Sequence, residues 1–233
     1  MIAENVKHLK ESIIAKCAEF KRNPQKIKLV AVSKFFDIDA INETNRLGIT
    51  DFGENKAQEL RDKYEILGDK VTWHFIGTLQ RNKVKYAVRA ASYIHSVDSK
   101  TLADEINKEA KKLNKVQNIL LEVNTSSEES KSGLTEKAEV LNLVKHCSSL
   151  ENVKLIGLMT MAPFTNDTKI IRKSFADLRN LKDEINQNGF DLKELSMGMT
   201  NDYEIAIEEG ATMLRIGSAI FGQRNYKTDW RQS

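Results

Sequence analysis

The stretch Lys28-Leu29-Val30-Ala31-Val32-Ser33-Lys34 decides the fold. Its apolar run has no polar face, as expected of a strand covered on both sides, and such strands belong to parallel sheets. Working outward, the same kind of segment recurs along the chain. Strands are expected at residues 28–33, 50–53, 72–76, 93–97, 118–124, 154–160, 194–196 and 213–216. Between them run helical stripes: Ala57, Leu60, Tyr64, Leu67; Leu102, Ile106, Leu113; Ile171, Phe175, Leu178, Ile185. Their spacings of three and four mark faces turned to a core, and the intervening Lys, Glu, Asp and Asn mark solvated faces. The charged run 108–115 is read as one such solvated face. Eight strands, seven of them followed by a helical segment, predict an α/β fold: a (β/α)8 TIM barrel, with the first 22 residues forming an extra N-terminal helix. No Pro-, Gly- or Ser-rich linker divides residues 1–233, which predicts a single domain.

Composition narrows the function. Of 233 residues, 40% are hydrophobic and 30% charged, enough apolar matter for a packed core, which excludes disorder. Net charge is 36 − 33 = +3. That near-neutral balance, with no basic stripe, argues against a nucleic-acid partner. No apolar run reaches the roughly 18 residues a membrane span needs, and the charged N-terminus does not resemble a signal peptide. Cys17 lies on the stripe Val6, Leu9, Ile13, Cys17, Phe20, and Cys147 follows Leu141 and Val144 on another, so both read as buried small hydrophobes. These features predict a cytoplasmic protein with no membrane partner.

In a barrel of this kind the site forms at the carboxyl ends of the strands. The first strand ends in Ser33-Lys34. A partly buried lysine there has a freed amine that can condense with an aldehyde, although position alone also allows a merely solvated lysine. After the seventh strand comes Ser196-Met197-Gly198-Met199-Thr200, and after the eighth Arg215-Ile216-Gly217-Ser218. Barrel enzymes often hold phosphate with these two loops. Gly198 and Gly217 let backbone N–H groups approach an anion, and Ser196, Thr200 and Ser218 add hydroxyls. A phosphorylated aldehyde fits all of these features, and pyridoxal 5'-phosphate is the cofactor of that type. Motifs for nucleotide binding, zinc and hydrolase nucleophiles are absent from the sequence. His74 and His95 read as core or rim histidines and Glu122 as a barrel-interior acid, with no metal site.

The ordered motifs are recognisable: LVAVSK ending at Lys34, DFGEN ending at Asn55, HFIGTLQRNK at 74–83, HSVDS at 95–99, VNTSSEESKSG at 123–133, GLMTMAP at 157–163, and LSMGMTNDYE to RIGSAIFG at 195–222. Over nearly its whole length the chain resembles the pyridoxal phosphate homeostasis protein family, relatives of the N-terminal barrel of alanine racemase. The resemblance implies that Lys34 holds the cofactor as a Schiff base. It further implies that Ser196, Gly198, Gly217 and Ser218 form its phosphate cradle, that Asn55 lies near its ring, and that Arg215 faces the pyridine nitrogen. A guanidinium there keeps the nitrogen unprotonated and the ring a poor electron sink. The implied function is vitamin B6 homeostasis without an established reaction: a monomer that carries the cofactor, with cofactor-dependent apoenzymes as recipients. The alternatives are an amino-acid racemase, for which Lys34 supplies one of two bases, and a Schiff-base aldolase acting on sugar phosphates. The sequence departs from the family at Phe35-Phe36, where a polar residue and soon a proline are common. It departs also at Lys56, where an aromatic is common, and at Ser127, which replaces a frequent glycine.

Overall fold

The computed structural model describes residues 1–126 and 132–222. The eight expected strands form: β1 (Lys28–Val32), β2 (Asp51–Glu54), β3 (Thr72–Phe75), β4 (Tyr93–Val97), β5 (Gln117–Glu122), β6 (Val153–Met159), β7 (Glu194–Ser196) and β8 (Met213–Ile216). They pair in parallel and in sequence order, and β8 returns to β1 to close the barrel, with Lys28 opposite Met213 and Ala31 opposite Ile216. The fold is a (β/α)8 barrel. Strand ends differ from the expected ones by a residue or two, because pairing stops where the chain turns into each loop.

Outside the sheet lie α2 (Ile38–Arg46), α3 (Ala57–Leu67), α4 (Val84–Ala90), α5 (Lys100–Lys112), α6 (Lys137–Ser148), α7 (Thr168–Gln187) and α8 (Tyr203–Glu208). A four-residue helix, α9 (Ser218–Phe221), follows β8, so the eighth unit also has its helix. The added N-terminal helix is α1 (Ile2–Glu19), shorter than expected. It buries Val6, Leu9, Ile13 and Cys17, and Asn5 donates from Nδ2 to the Ile220 carbonyl at 3.0 Å, tying α1 to α9. Phe20 and Leu113 are corrections to the stripes. Each ends its helix as the C-cap, and they stay 41% and 48% exposed. Lys115 corrects the solvated run. It is half-buried and donates to the carbonyls of Val88 and Ala91 at 2.8 and 3.1 Å, satisfying the end of α4. Both cysteines are buried and free, and burial pushes the Cys147 thiol up to about 12.

Alternation along each strand splits the core in two. Ile119, Leu121, Leu158, Leu195, Leu214 and Ile216 belong to the main core that includes the buried helix faces. Leu120, Met159 and Met213 form a separate small cluster with Tyr93. The latter set, with His74, His95, Ser196 and Arg215 also fully or almost fully buried, makes the barrel interior partly polar. Among the described residues no helix is long and apolar enough to cross a membrane.

Candidate functional site

Several strand ends open into one cleft of about 770 Å³. Its wall includes Lys34 just beyond β1, Asn55 just beyond β2, Thr200 beyond β7, Arg215 in β8, and Gly217 and Ser218 beyond it. The residues 161–166, after β6, complete the rim. The two expected phosphate loops meet here. The Ser218 hydroxyl donates to Thr200 Oγ1 at 3.2 Å, and the Ala219 N–H donates to the same oxygen at 3.3 Å. Asp202 Oδ1 accepts the Met199 N–H at 2.5 Å, which folds the loop between β7 and α8.

Ser196 and Gly198 are placed differently from the expected cradle, since neither lines the cleft wall. The Ser196 hydroxyl is fully buried inside the barrel, bonded to Arg215 and His95. Gly198 has φ +96, and a Cβ there would sit 2.6 Å from the Ala206 Cβ, so the glycine lets the loop lie against α8. Its carbonyl accepts the Arg215 N–H at 2.9 Å.

Behind the cleft a hydrogen-bonded chain crosses the barrel. Arg215 donates from Nη1 to Ser196 Oγ at 2.7 Å and from Nη2 to the Thr160 carbonyl at 2.9 Å. The ionised Asp51 at the far end can only accept, and with both rings neutral this leaves His95 Nδ1 to accept from the Ser196 hydroxyl at 2.9 Å. His95 Nε2–H then donates to His74 Nδ1 at 2.9 Å, and His74 Nε2–H to Asp51 Oδ1 at 2.9 Å. The carboxylate thus fixes both tautomers, with both rings neutral. Burial enforces this, pushing His74 below its usual value and His95 well below it. Burial opposes the Asp51 charge, but the His74 hydrogen bond and the charges nearby outweigh it and hold the carboxyl below its usual range. Lys28 closes the far end, 3.3 Å from Asp51 Oδ1. Burial pushes Arg215 down to about 10, so it remains a cation at neutral pH. Glu122 is pushed up to about 7 by burial and by Asp98, against the pull of Arg215.

The residues fit a phosphorylated aldehyde carried on a ring. Lys34 supplies an amine, and Thr200, Gly217 and Ser218 supply a polar end. Asn55 Oδ1 is buried in the wall with no hydrogen-bond partner among the described residues, an acceptor suited to a ligand donor. Among the described residues no group of three or more His, Cys, Asp or Glu could hold a metal ion.

The family model for the alanine racemase N-terminal domain matches residues 2–225. The chain is 44% identical over 225 residues to the pyridoxal phosphate homeostasis protein of Aquifex aeolicus, covering 96% of this chain and 98% of that one. The chain belongs to the pyridoxal phosphate homeostasis protein family. A solved structure of PipY from Synechococcus elongatus with pyridoxal phosphate bound is 34% identical, with TM-score 0.83, covering 95% of this chain and all of that one. An alanine racemase of Clostridium difficile shares the fold at 13% identity and TM-score 0.74, and this chain spans 60% of it.

Two departures from the family pattern meet each other, since the Lys56 ammonium lies 5.3 Å from the Phe35 ring centroid. Phe36 stacks on Phe221 at 4.6 Å and so ties the turn after β1 to α9. Ser127 lies outside the described residues. The sequence reading missed a cluster of Glu54, Glu59 and Lys63 directly behind Lys34. The available signal was Lys63 itself, three residues after Leu60 and four before Leu67, a charge on an apolar face.

Proposed function

We propose that this protein binds pyridoxal 5'-phosphate covalently through Lys34 and holds it reversibly, serving intracellular vitamin B6 homeostasis as a carrier rather than a catalyst. The observation that carries the reading is the convergence of Lys34, Asn55, Arg215, Gly217 and Ser218 on one cleft. The bound cofactor in PipY, at 34% identity, supports the choice of ligand. When bound, the cofactor supplies an aldehyde that condenses with a lysine amine, releasing one water. In this reading Gly217 and Ser218, with Thr200, hold the phosphate. Ser196 and Gly198 keep Arg215 and the β7 loop in place behind them. Asn55 orients the ring, and Arg215 faces the pyridine nitrogen.

The carrier reading rests on Arg215. Both racemisation and transamination leave charge on the substrate carbon, and a guanidinium at the nitrogen makes the ring a poorer acceptor of it, which disfavours transamination most. A racemase tolerates the weaker ring only with a base on each face. Among the described residues the cleft wall contains no tyrosine, the residue type that would serve as a second base opposite Lys34. The relatives carry the name of homeostasis proteins. The remaining parts of the proposal are that residues 1–233 act as one domain, as a cytoplasmic monomer, and that cofactor-dependent apoenzymes receive the cofactor. The test is titration with pyridoxal phosphate. The wild type should gain a visible absorption band that Lys34→Ala lacks; a band of equal strength in Lys34→Ala would refute the assignment.

A further inference from the structure

We infer that Glu54, Glu59 and Lys63 form a buried clamp that positions Lys34 by holding both peptide units on either side of it. The inference rests on Lys34 being the cofactor lysine and adds the residues that aim it. Lys63 is fully buried, as is Glu54, and Glu59 is nearly so. The Lys63 ammonium donates to the Ser33 carbonyl at 2.8 Å, to Glu54 Oε1 at 2.7 Å and to Glu59 Oε1 at 2.8 Å. The Ser33 hydroxyl donates to Glu54 Oε1 at 2.7 Å, and the Phe35 N–H donates to Glu59 Oε1 at 2.8 Å. The carbonyl preceding Lys34 and the N–H following it are thus tied to one ion cluster. Phe35 carries φ +70, a left-handed conformation that a bulky residue avoids unless its surroundings impose it. The bond from Phe35 to Glu59 is one such imposition, and it turns the chain sharply as β1 ends.

The cluster also spans three elements. Glu54 ends β2, Glu59 and Lys63 lie one turn apart on α3, and Ser33 leaves β1. None of the three lines the cleft. A group out of reach of the ligand but bonded to both neighbours of its lysine acts by direction, and misdirection of an attacking group is costly. A purely structural ion pair would instead stabilise the fold without regard to Lys34.

The two roles are separated by treating the full-length protein, freed of cofactor, with pyridoxal phosphate and cyanoborohydride, and following modification of the Lys34 peptide by mass spectrometry. Glu59→Ala should slow modification at Lys34 by roughly tenfold or more. Glu59→Gln, which keeps an acceptor for the Phe35 N–H, should restore most of the rate. Urea unfolding of each variant gives the stability change separately. Wild-type rate in Glu59→Ala, or an equal loss in Glu59→Gln, would overturn the clamp. Should Glu59→Ala not fold, hydrogen exchange in the wild type decides. The Phe35 amide should be protected like the strand amides, and rapid exchange there would overturn the proposal. If wild-type modification falls on another lysine, the cofactor assignment fails. If it falls on Lys34 and Glu59→Ala matches it, the clamp alone fails.

Discussion

Acid should destabilise this protein through the two histidines held neutral inside the barrel. Unfolded, each takes up a proton near pH 6.5; folded, His95 resists protonation far below that, because its surroundings are dry and it lies beside Arg215 and His74. The unfolded state therefore binds more protons than the folded state as pH falls below 6.5, and stability drops in that window. It is retained at pH 7 and above. For a histidine that stays neutral when folded, lowering pH from 7 to 5 removes about 2 kcal/mol. His74, whose proton affinity is also lowered but is supported by Asp51, adds a smaller loss. The assay is urea unfolding of wild type and His95→Gln at pH 7 and pH 5. The comparison is between the pH-dependent losses, so the variant's own stability at pH 7 does not matter. Wild type should lose about 2 kcal/mol more than His95→Gln over that interval. Equal losses in the two proteins would refute the neutral, directional hydrogen-bond chain.

Three other outcomes follow from the same geometry. Ser196→Ala leaves an Arg215 N–H without its acceptor and should cost roughly 1.5–3 kcal/mol in urea unfolding, while shifting the absorption of the bound cofactor. Gly198→Ala adds a Cβ where Ala206 already sits, in a left-handed backbone, and should destabilise by about 1–3 kcal/mol or more in thermal unfolding. Pyridoxal lacking its phosphate should bind weaker by orders of magnitude in a spectroscopic titration, since charge-assisted hydrogen bonds worth roughly 1.5–3 kcal/mol each are lost.

The barrel was legible because its signals are local and repeated. The continuous apolar run Leu29-Val30-Ala31-Val32 reads as a strand covered on both faces, and Val30, Ala31 and Val32 are buried; the stripe Ile171, Phe175, Leu178, Ile185 turns one face inward. Glycines and hydroxyls at the last two strand ends located the cleft in the same way. Side-chain direction was harder to read. In the three-residue strand β7, Leu195 packs into the main core and Ser196 points into the barrel toward Arg215, a choice that depends on register with β6 and β8. The His74–His95 contact likewise depends on the pairing of β3 with β4, where His74 stands opposite Tyr93. Sequence spacing placed both rings on adjacent strands, but only the closed barrel joins them to Asp51 and Arg215. The Glu54–Lys63 cluster arises from elements brought together by the turn after β1, and no motif announces it.

The central claim is that the cofactor is carried on Lys34, and borohydride reduction tests it most directly. The protein is saturated with pyridoxal phosphate, reduced, digested and mapped by mass spectrometry. One cofactor mass should appear on the peptide containing Lys34 and be missing from Lys34→Ala. Label on Lys63, or spread over the exposed lysines with Lys34 unmodified, would contradict the account.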